Sequence, residues 1–159
     1  MTQPTLYLAA RLFNAAERLH NATLAKYLRD LGYAVITPQV EALRFFRGGR
    51  FETNAIAKDC RRSCTDSNVL VVCNIDGPDA DSGSAIEFQI GLDANGRAIV
   101  YRTDFRTDTG REVGYNDMFR QESVEFVFHP CTVAMLEGFD AYYQSLAQKI
   151  HEAVQRHCT

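Results

Sequence analysis

Residues 68–74 read NVLVVCN, a nearly uninterrupted apolar run in which valine recurs. Such a run is typical of a central strand in a parallel sheet, because helices cover that strand on both faces. The next apolar segment, residues 83–96, starts and stops at a glycine and is long enough for a helix. This stretch therefore predicts a buried strand followed by a helix, the repeating unit of an α/β domain.

The same alternation extends along the chain on both sides of this stretch. Further strands are predicted at residues 5–10, 33–37, 97–102 and 124–128, further helices at 14–31, 52–63 and 138–157, and loops at 39–50 and from 103 to about 116. Asn14 with Glu17 three residues later indicates a capping box at the first helix. We therefore predict one domain over residues 1–159 with an α/β fold, a flavodoxin-like, doubly wound, five-stranded parallel sheet with helices on both faces.

Composition limits the classes of partner. The chain has 159 residues, a formal net charge of −3 and a pI near 5.8. A protein that binds nucleic acid without sequence preference needs a basic surface, so we expect no nucleic-acid partner. No run approaches the ~18 apolar residues of a membrane span, and the N-terminus lacks a leader pattern. We expect a cytoplasmic protein that acts on small molecules and does not bind membranes.

Cysteines and glycine motifs give no sign of a metal or a cofactor. Five cysteines at irregular spacing do not form a disulfide framework, so we expect reduced thiols. Cys60 and Cys64 share a helix face but have no histidine near them in sequence, so no zinc site is predicted. The glycine motifs that bind dinucleotides or phosphates are also missing from the sequence. Clustered aspartates could hold magnesium, as in phosphoryl-transfer receivers, but the lysine of those proteins is not matched.

An acidic segment, DGPDADSGSAIEFQIG at residues 76–91, follows the central strand. In a doubly wound sheet, ligands bind at the carboxyl ends of the strands where the strand order reverses, so residues 9–13 and 75–83 should meet there. Glu87 is expected near the first turn of a helix, where the helix dipole favours its ionised form. Neighbouring carboxylates at a ligand crevice suit glycosyl chemistry. Alternatively, Glu87 only stabilises the helix and the aspartates are turn residues.

These residues resemble the nucleoside 2-deoxyribosyltransferases, which carry a pattern like DGP-x-x-DSGT-A-x-E-x-G after the third strand. The matching residues are Asp76-Gly77-Pro78, Asp81-Ser82-Gly83-Ser84-Ala85, Glu87 and an offset Gly91. Family members also have a strand of Tyr-Leu-Ala type followed by an aromatic residue, and a later Asn-x-Met. Here these are Tyr7-Leu8-Ala9, Phe13 and Asn116-Asp117-Met118.

The resemblance implies a reaction and roles for three catalytic residues. Glu87 would attack C1′ of a 2′-deoxynucleoside, expel the base and form a covalent deoxyribosyl-enzyme. A second base would then attack C1′, so that two inversions retain the configuration. Tyr7 would orient Glu87, and Asp81 would help to manage the proton of the base. No cofactor is implied; the partners would be 2′-deoxynucleosides and free nucleobases.

The resemblance also implies a substrate-binding set. Phe13 would stack on the base and Gln39 would contact it, while Asp76 and Gly83 belong to the loop that holds the substrate. Asn116 and Met118 would reach across a subunit interface to the sugar 5′-hydroxyl. The implied protein is a homo-oligomer whose sites are completed by a neighbouring subunit.

One departure from the family pattern concerns the acid at the start of the third strand. Many members have an aspartate there, whereas this chain has Asn68, with Asp66 two residues earlier.

Two other functions stay open. A 2′-deoxynucleoside 5′-phosphate N-hydrolase would use the same glutamate with water and grip the phosphate through serine and arginine, here Arg11, Ser82 and Ser84. A non-catalytic nucleoside-binding domain would use the crevice without turnover.

Overall fold

A computed structural model describes residues 3–105 and 115–158. Its main sheet has five strands: β1 (Thr5–Ala9), β2 (Val35–Ile36), β5 (Val69–Asn74), β6 (Ala98–Arg102) and β7 (Val124–Phe128). They lie in the order β2-β1-β5-β6-β7, and each neighbouring pair is parallel. Counted along the chain within this sheet, the order is 2-1-3-4-5, which is the flavodoxin-like order. The predicted fold class is confirmed.

Helices cover both faces of this sheet. They are α1 (Ala15–Asp30), α2 (Pro38–Glu41), α3 (Thr53–Thr65), α4 (Ser82–Asn95), α5 (Thr132–Glu137) and α6 (Phe139–Cys158). Alternate residues of β1 point to opposite faces, so Leu6 and Leu8 join a core with α1 and α6. Tyr7 joins a second core with α3 and α4. None of the helices in the described ranges combines the length and the apolar character needed to cross a membrane.

Local chemistry fixes the position of α1. Asn14 accepts a hydrogen bond from the Glu17 amide at 3.0 Å, and the Glu17 carboxylate accepts one from the Asn14 amide at 3.2 Å. These reciprocal bonds form the predicted capping box. Gly32, with φ of 93°, follows the helix in a conformation that favours glycine. The capping box and Gly32 therefore define the start and the end of α1.

The prediction of a loop at residues 39–50 was wrong. The segment contains α2, a 3-10 turn (Ala42–Phe45) and an antiparallel hairpin of β3 (Phe46–Arg47) and β4 (Arg50–Phe51). Gly48 and Gly49 both have positive φ, as a tight hairpin turn requires. These elements are too short to show a periodic apolar pattern, and α5 was missed for the same reason. Residues 106–114 of the second predicted loop lie outside the described ranges.

Gly91 allows α4 to pack closely on β5. A Cβ atom at this position would lie 2.3 Å from Cγ2 of Val71, a buried residue of β5. The close approach at Gly91 therefore involves a side chain of the central strand.

We expect Gly91→Ala to lower the free energy of unfolding by about 1–3 kcal/mol, because it overpacks a tight contact. The better helix propensity of alanine, about 1 kcal/mol, offsets part of this loss. Urea denaturation of the variant measures the effect. Adding Val71→Ala removes the atom that clashes, so the double variant should lose less stability than the two single changes summed. Strict additivity would contradict the packing argument.

Candidate active site

A cleft with a volume of about 500 Å³ opens at the carboxyl end of β1, between the segment after β1 and the start of α4. This volume lies within the usual range for small-molecule sites. Its lining residues come from α1, α2, α3, α4 and the segments between them: Ala10, Leu12, Phe13, Arg18, Pro38, Gln39, Ala42, Phe51, Thr53, Ile56, Cys60, Asp81, Gly83, Ser84 and Glu87. Most are apolar, and the few polar groups are candidates for chemistry.

Tyr7 contacts Glu87, which lines this cleft, although the two residues are 80 positions apart in sequence. The Tyr7 hydroxyl donates a hydrogen bond of 2.7 Å to Oε1 of Glu87. Tyr7 is only 1% exposed and lies on β1, so the sheet and the second core hold its ring in place. A buried donor of this kind fixes the orientation of the carboxylate. The structure thus brings together the predicted nucleophile and its predicted partner.

Burial controls the protonation of Glu87. It raises the pKa of the carboxyl group, and the hydrogen bonds from Tyr7 and Cys60 oppose this rise in part. Glu87 is the sixth residue of α4, beyond the first turn, where the helix dipole acts most strongly. The expectation that the dipole sets its ionisation is therefore corrected, because loss of water is the larger effect. Burial and the nearby Glu87 raise the pKa of Tyr7 far above its usual range, so Tyr7 stays protonated and continues to donate.

Cys60 is a member of the site that the sequence reading did not assign. Thr53, Ile56 and Cys60 recur at helical spacing on the face of α3 that lines the cleft. The Cys60 side chain interacts with both the Tyr7 hydroxyl and the Glu87 carboxylate, and burial raises the pKa of its thiol. It is therefore a neutral donor at neutral pH. Within residues 3–105 and 115–158, no cluster of histidine, cysteine and acidic side chains could hold a metal ion.

Asp81 combines a structural role with a place in the cleft. It is the N-cap of α4, where its Oδ2 accepts hydrogen bonds from the Ser84 amide at 3.0 Å and the Ser84 hydroxyl at 3.3 Å. Both contacts use one oxygen of the carboxylate. Gly83 also lines the cleft, and a Cβ atom there would lie 3.0 Å from the Asp81 carboxylate. A side chain at position 83 would therefore crowd Asp81.

Phe13 and Gln39 lie on the wall formed by α1 and α2 and the segments beside them. Phe13 is 78% exposed and available for stacking, since nothing in the core holds its ring. Gln39 is only 7% exposed, and its amide is engaged: Nε2 donates to the Arg18 carbonyl at 2.9 Å, and Oε1 accepts from Asn21 at 3.2 Å. Gln39 therefore lines the cleft, and its amide group is used to hold α2 against α1.

Asp76 lies outside the Glu87 cleft. It borders a separate cleft of about 490 Å³, next to the end of β6. Its carboxylate accepts four hydrogen bonds, from the Thr103 amide and hydroxyl, both at 2.6 Å, the Asp104 amide at 2.8 Å and the Asn74 amide group at 2.9 Å. These bonds tie the segment after β5 to the segment after β6. The structure therefore gives Asp76 a bracing role, and its expected contact with substrate stays a prediction.

We expect Asp76→Asn to lower the free energy of unfolding by about 1–3 kcal/mol, because an amide group would face donors that need an acceptor. Urea denaturation provides the measurement. Asp79→Asn is the matched control, because Asp79 lies exposed in the same loop and only its backbone carbonyl is bonded. Equal stability of the two variants would contradict the bracing role.

Asn116 and Met118 do not line the cleft of their own chain. The Asn116 side chain accepts a hydrogen bond of 3.0 Å from the Met118 amide and caps the 3-10 turn Asp117–Phe119. Met118 is 71% exposed. The turn is fixed by Phe119, whose ring packs on Phe88 of α4 with a centroid distance of 4.9 Å. The pair is therefore presented on the surface.

Neither residue considered for the acid of the third strand lines the Glu87 cleft. Asp66 accepts a hydrogen bond from the Asn68 amide at 2.9 Å, and both precede β5. They therefore lie at the amino edge of the sheet, whereas the cleft opens at its carboxyl edge. Asp81 is the described carboxyl group that shares the cleft with Glu87.

Of the residues expected to grip a 5′-phosphate, Arg11 and Ser84 are engaged in other contacts, and Ser82 does not line the Glu87 cleft. The Arg11 guanidinium donates to the Asp79 carbonyl, packs over Gly77 and borders the Asp76 cleft. The Ser84 hydroxyl is bonded to Asp81. Ser82 is exposed and does not line the Glu87 cleft. Within the described residues, Arg11, Ser82 and Ser84 therefore do not come together as a phosphate site beside Glu87.

Comparison with known proteins agrees with this geometry. The family model for nucleoside 2-deoxyribosyltransferase matches residues 6–119, a range that includes Tyr7, Glu87 and Phe119. A structure of the 2-deoxyribosyltransferase from Bacillus psychrosaccharolyticus is similar at 20% sequence identity, with a TM-score of 0.56, over 87% of this chain and 95% of that chain. This likeness concerns the fold. No curated protein matches the chain. Because the family model covers most of the chain, the protein belongs to the nucleoside 2-deoxyribosyltransferase family.

Proposed function

We propose that this protein exchanges the base of 2′-deoxynucleosides through a covalent deoxyribosyl-glutamate intermediate, with retention of configuration. The observation that carries the proposal is the 2.7 Å hydrogen bond from buried Tyr7 to Glu87, which lines a cleft of about 500 Å³. A site that only binds a nucleoside has no need of a buried carboxylate fixed beside the ligand. A nucleophile needs this fixed orientation.

The first half-reaction transfers the sugar to the protein. A Glu87 oxygen forms a bond to C1′ as the bond from C1′ to the base nitrogen breaks, and the electron pair leaves with the base. The departing base takes up a proton, and we assign the handling of this proton to Asp81, whose carboxyl group lines the same cleft. The sugar remains covalently bound to Glu87 as a neutral glycosyl ester. Tyr7 and Cys60 steady the carboxylate until the bond forms.

The second half-reaction reverses these steps with a different base. A nitrogen of the incoming base attacks C1′, the ester bond to Glu87 breaks, and the base loses a proton. Each displacement inverts C1′, so the product keeps the configuration of the donor. Glu87 is regenerated as a carboxylate. No cofactor takes part.

Incubation with deoxyinosine and free adenine, followed by chromatography, tests the proposal. We expect deoxyadenosine and hypoxanthine in equal amounts. Hypoxanthine with free deoxyribose and no new nucleoside would instead identify a hydrolase, and parallel assays with deoxyinosine 5′-phosphate would test the N-hydrolase alternative. Unchanged nucleoside in both assays would identify a binding domain.

We further propose that the active unit is a homo-oligomer in which Asn116 and Met118 of a neighbouring subunit approach the sugar 5′-hydroxyl. Their surface position and their absence from the cleft of their own chain support this assignment. Asn116→Ala and Glu87→Gln should each be inactive alone. Mixing the two variants should restore activity in hybrid oligomers, since some sites then combine an intact Glu87 with an intact Asn116.

The matched control for this complementation mixes Glu87→Gln with Glu87→Ala, in which no site has an intact nucleophile. That mixture should stay inactive. Sedimentation measures the assembly directly. Full activity in a strictly monomeric protein would contradict the shared site.

A further inference from the structure

The charges that line the Glu87 cleft are distributed unequally. Glu87 and Asp81 belong to α4 and its N-cap, whereas Arg18 belongs to α1 on the opposite wall. Among the described residues, Arg18 is the one cation that lines the cleft. A ligand that spans the cleft therefore meets carboxylates at one end and a guanidinium at the other.

Arg18 retains most of its hydrogen-bonding capacity. Its single described contact is a long one, 3.5 Å from Nη2 to the Gln39 carbonyl, and the side chain is exposed. A guanidinium has five N–H donors in a planar fork. By contrast, the Gln39 amide is engaged with the Arg18 carbonyl and Asn21. On this wall, Arg18 is the side chain with several unused donors.

The proposed function, on which this inference rests, sets the direction of the ligand. C1′ must lie at Glu87, so the base extends away from α4 towards the wall of α1 and α2. Phe13 and Phe51 are exposed aromatic residues that line this part of the cleft and suit the faces of a planar base. The edge of the base would then face Arg18.

We propose that Arg18 makes the site selective for 6-oxopurines, hypoxanthine and guanine, by donating to O6 and N7 of the base. These two acceptors match the spacing of a guanidinium fork. Adenine also has N7, but its C6 amino group is a hydrogen-bond donor. That group would face the N–H donors of the Arg18 guanidinium. Arg18 is thus a specificity-determining residue.

Binding measurements test this selectivity without the chemical step. Glu87→Gln protein should bind intact deoxyinosine on the order of tenfold more tightly than deoxyadenosine, as measured by calorimetry. Adding Arg18→Gln should bring the two affinities close together. Equal affinities in the Glu87→Gln protein, or a preference that survives the loss of Arg18, would overturn the inference.

Kinetics supply the second readout, with guanine as the common acceptor base. In protein with Glu87 intact, Arg18→Gln should lower the ratio of kcat/KM for deoxyinosine to that for deoxyadenosine about tenfold. A purely structural role of Arg18 would lower both values together and leave the ratio unchanged. Arg29→Gln, on the same helix and bonded to the Val35 carbonyl, is the matched control and should keep the wild-type ratio.

The same experiments separate this inference from the proposed function. If wild-type protein exchanges bases but shows no preference in either readout, the selectivity is refuted and the transferase function stands. If no exchange occurs, the proposed function fails. A preference for deoxynucleoside 5′-phosphates that depends on Arg18 would assign the guanidinium to phosphate and overturn the inference.

Discussion

Glu87→Gln is expected to reduce base exchange by about 10⁴-fold or more, because an amide cannot act as the nucleophile. Glutamine keeps the size of the side chain and can still accept the Tyr7 hydrogen bond, so the site should keep its shape. Exchange between deoxyinosine and adenine gives the rate. A variant that retains substantial activity would assign the chemistry to another group.

The same substitution is expected to increase stability at neutral pH. Burial raises the pKa of Glu87 above its value in the unfolded chain, so the folded state binds the proton more tightly. The resulting stabilisation is present below the unfolded pKa and is lost as the pH rises through the folded pKa. At pH 7 the ionised group opposes folding, and glutamine does not. The gain in the free energy of unfolding of the variant over wild type should disappear at acidic pH. Urea denaturation at several pH values would measure this difference.

Trapping identifies the nucleophile directly. A 2-fluoro-2-deoxynucleoside slows the breakdown of a glycosyl-enzyme, because fluorine destabilises the oxocarbenium-like transition state. Mass spectrometry should locate the sugar adduct on the peptide that contains Glu87. An adduct on Asp81 would contradict the assignment. Glu87→Ala should give no adduct, but it leaves the buried Tyr7 hydroxyl without its partner and should cost about 1–3 kcal/mol of stability.

Tyr7→Phe is expected to lower kcat/KM by about tenfold to a hundredfold. A hydrogen bond to a charged group is worth about 1.5–3 kcal/mol, and each 1.36 kcal/mol corresponds to a factor of ten in rate. The loss should be smaller than that of Glu87→Gln, since the nucleophile remains. Tyr27→Phe is the matched control, because the Tyr27 hydroxyl is bonded to Asp140 at the surface and should not affect catalysis.

The pH profile distinguishes positioning from a loss of structure. Tyr7 lowers the pKa of Glu87, so its removal should raise that pKa further. The nucleophile must be ionised, and the acidic limb of the kcat/KM profile should therefore move to higher pH in Tyr7→Phe. A uniform loss of activity at every pH, with the limb unchanged, would show that Tyr7 acts only through the fold.

The sheet could be predicted because its strands are buried on both faces. A run such as NVLVVCN has few alternatives to a central strand, and the capping box fixed the start of α1. The pairing of Tyr7 with Glu87 also followed from the family pattern. In contrast, α2, β3, β4 and α5 span two to six residues each, which is too short for periodicity to identify.

The contacts that each side chain of the acidic segment makes could not be predicted from residue spacing. Asp76 and Asp81 are five positions apart, yet the Asp76 side chain bonds to Thr103 after β6, whereas the Asp81 side chain caps α4. Cys60 and Arg18 were missed as cleft residues for a related reason. Their positions depend on how α3 and α1 pack against the sheet, and the helical spacing of Cys60 with Ile56 and Thr53 was the available signal.

The burial of Glu87 has a consequence for the energy of the proposed intermediate. A low-polarity surrounding penalises an anion more than a neutral ester. The surroundings that raise the pKa of the carboxyl group therefore also shift the balance from free carboxylate, nucleoside and a proton towards the glycosyl ester and the released base. The ester would persist long enough to meet a second base if water has little access to C1′. A more exposed glutamate would lack this preference, so its ester would be less favoured and the deoxyribosyl group would be held for a shorter time.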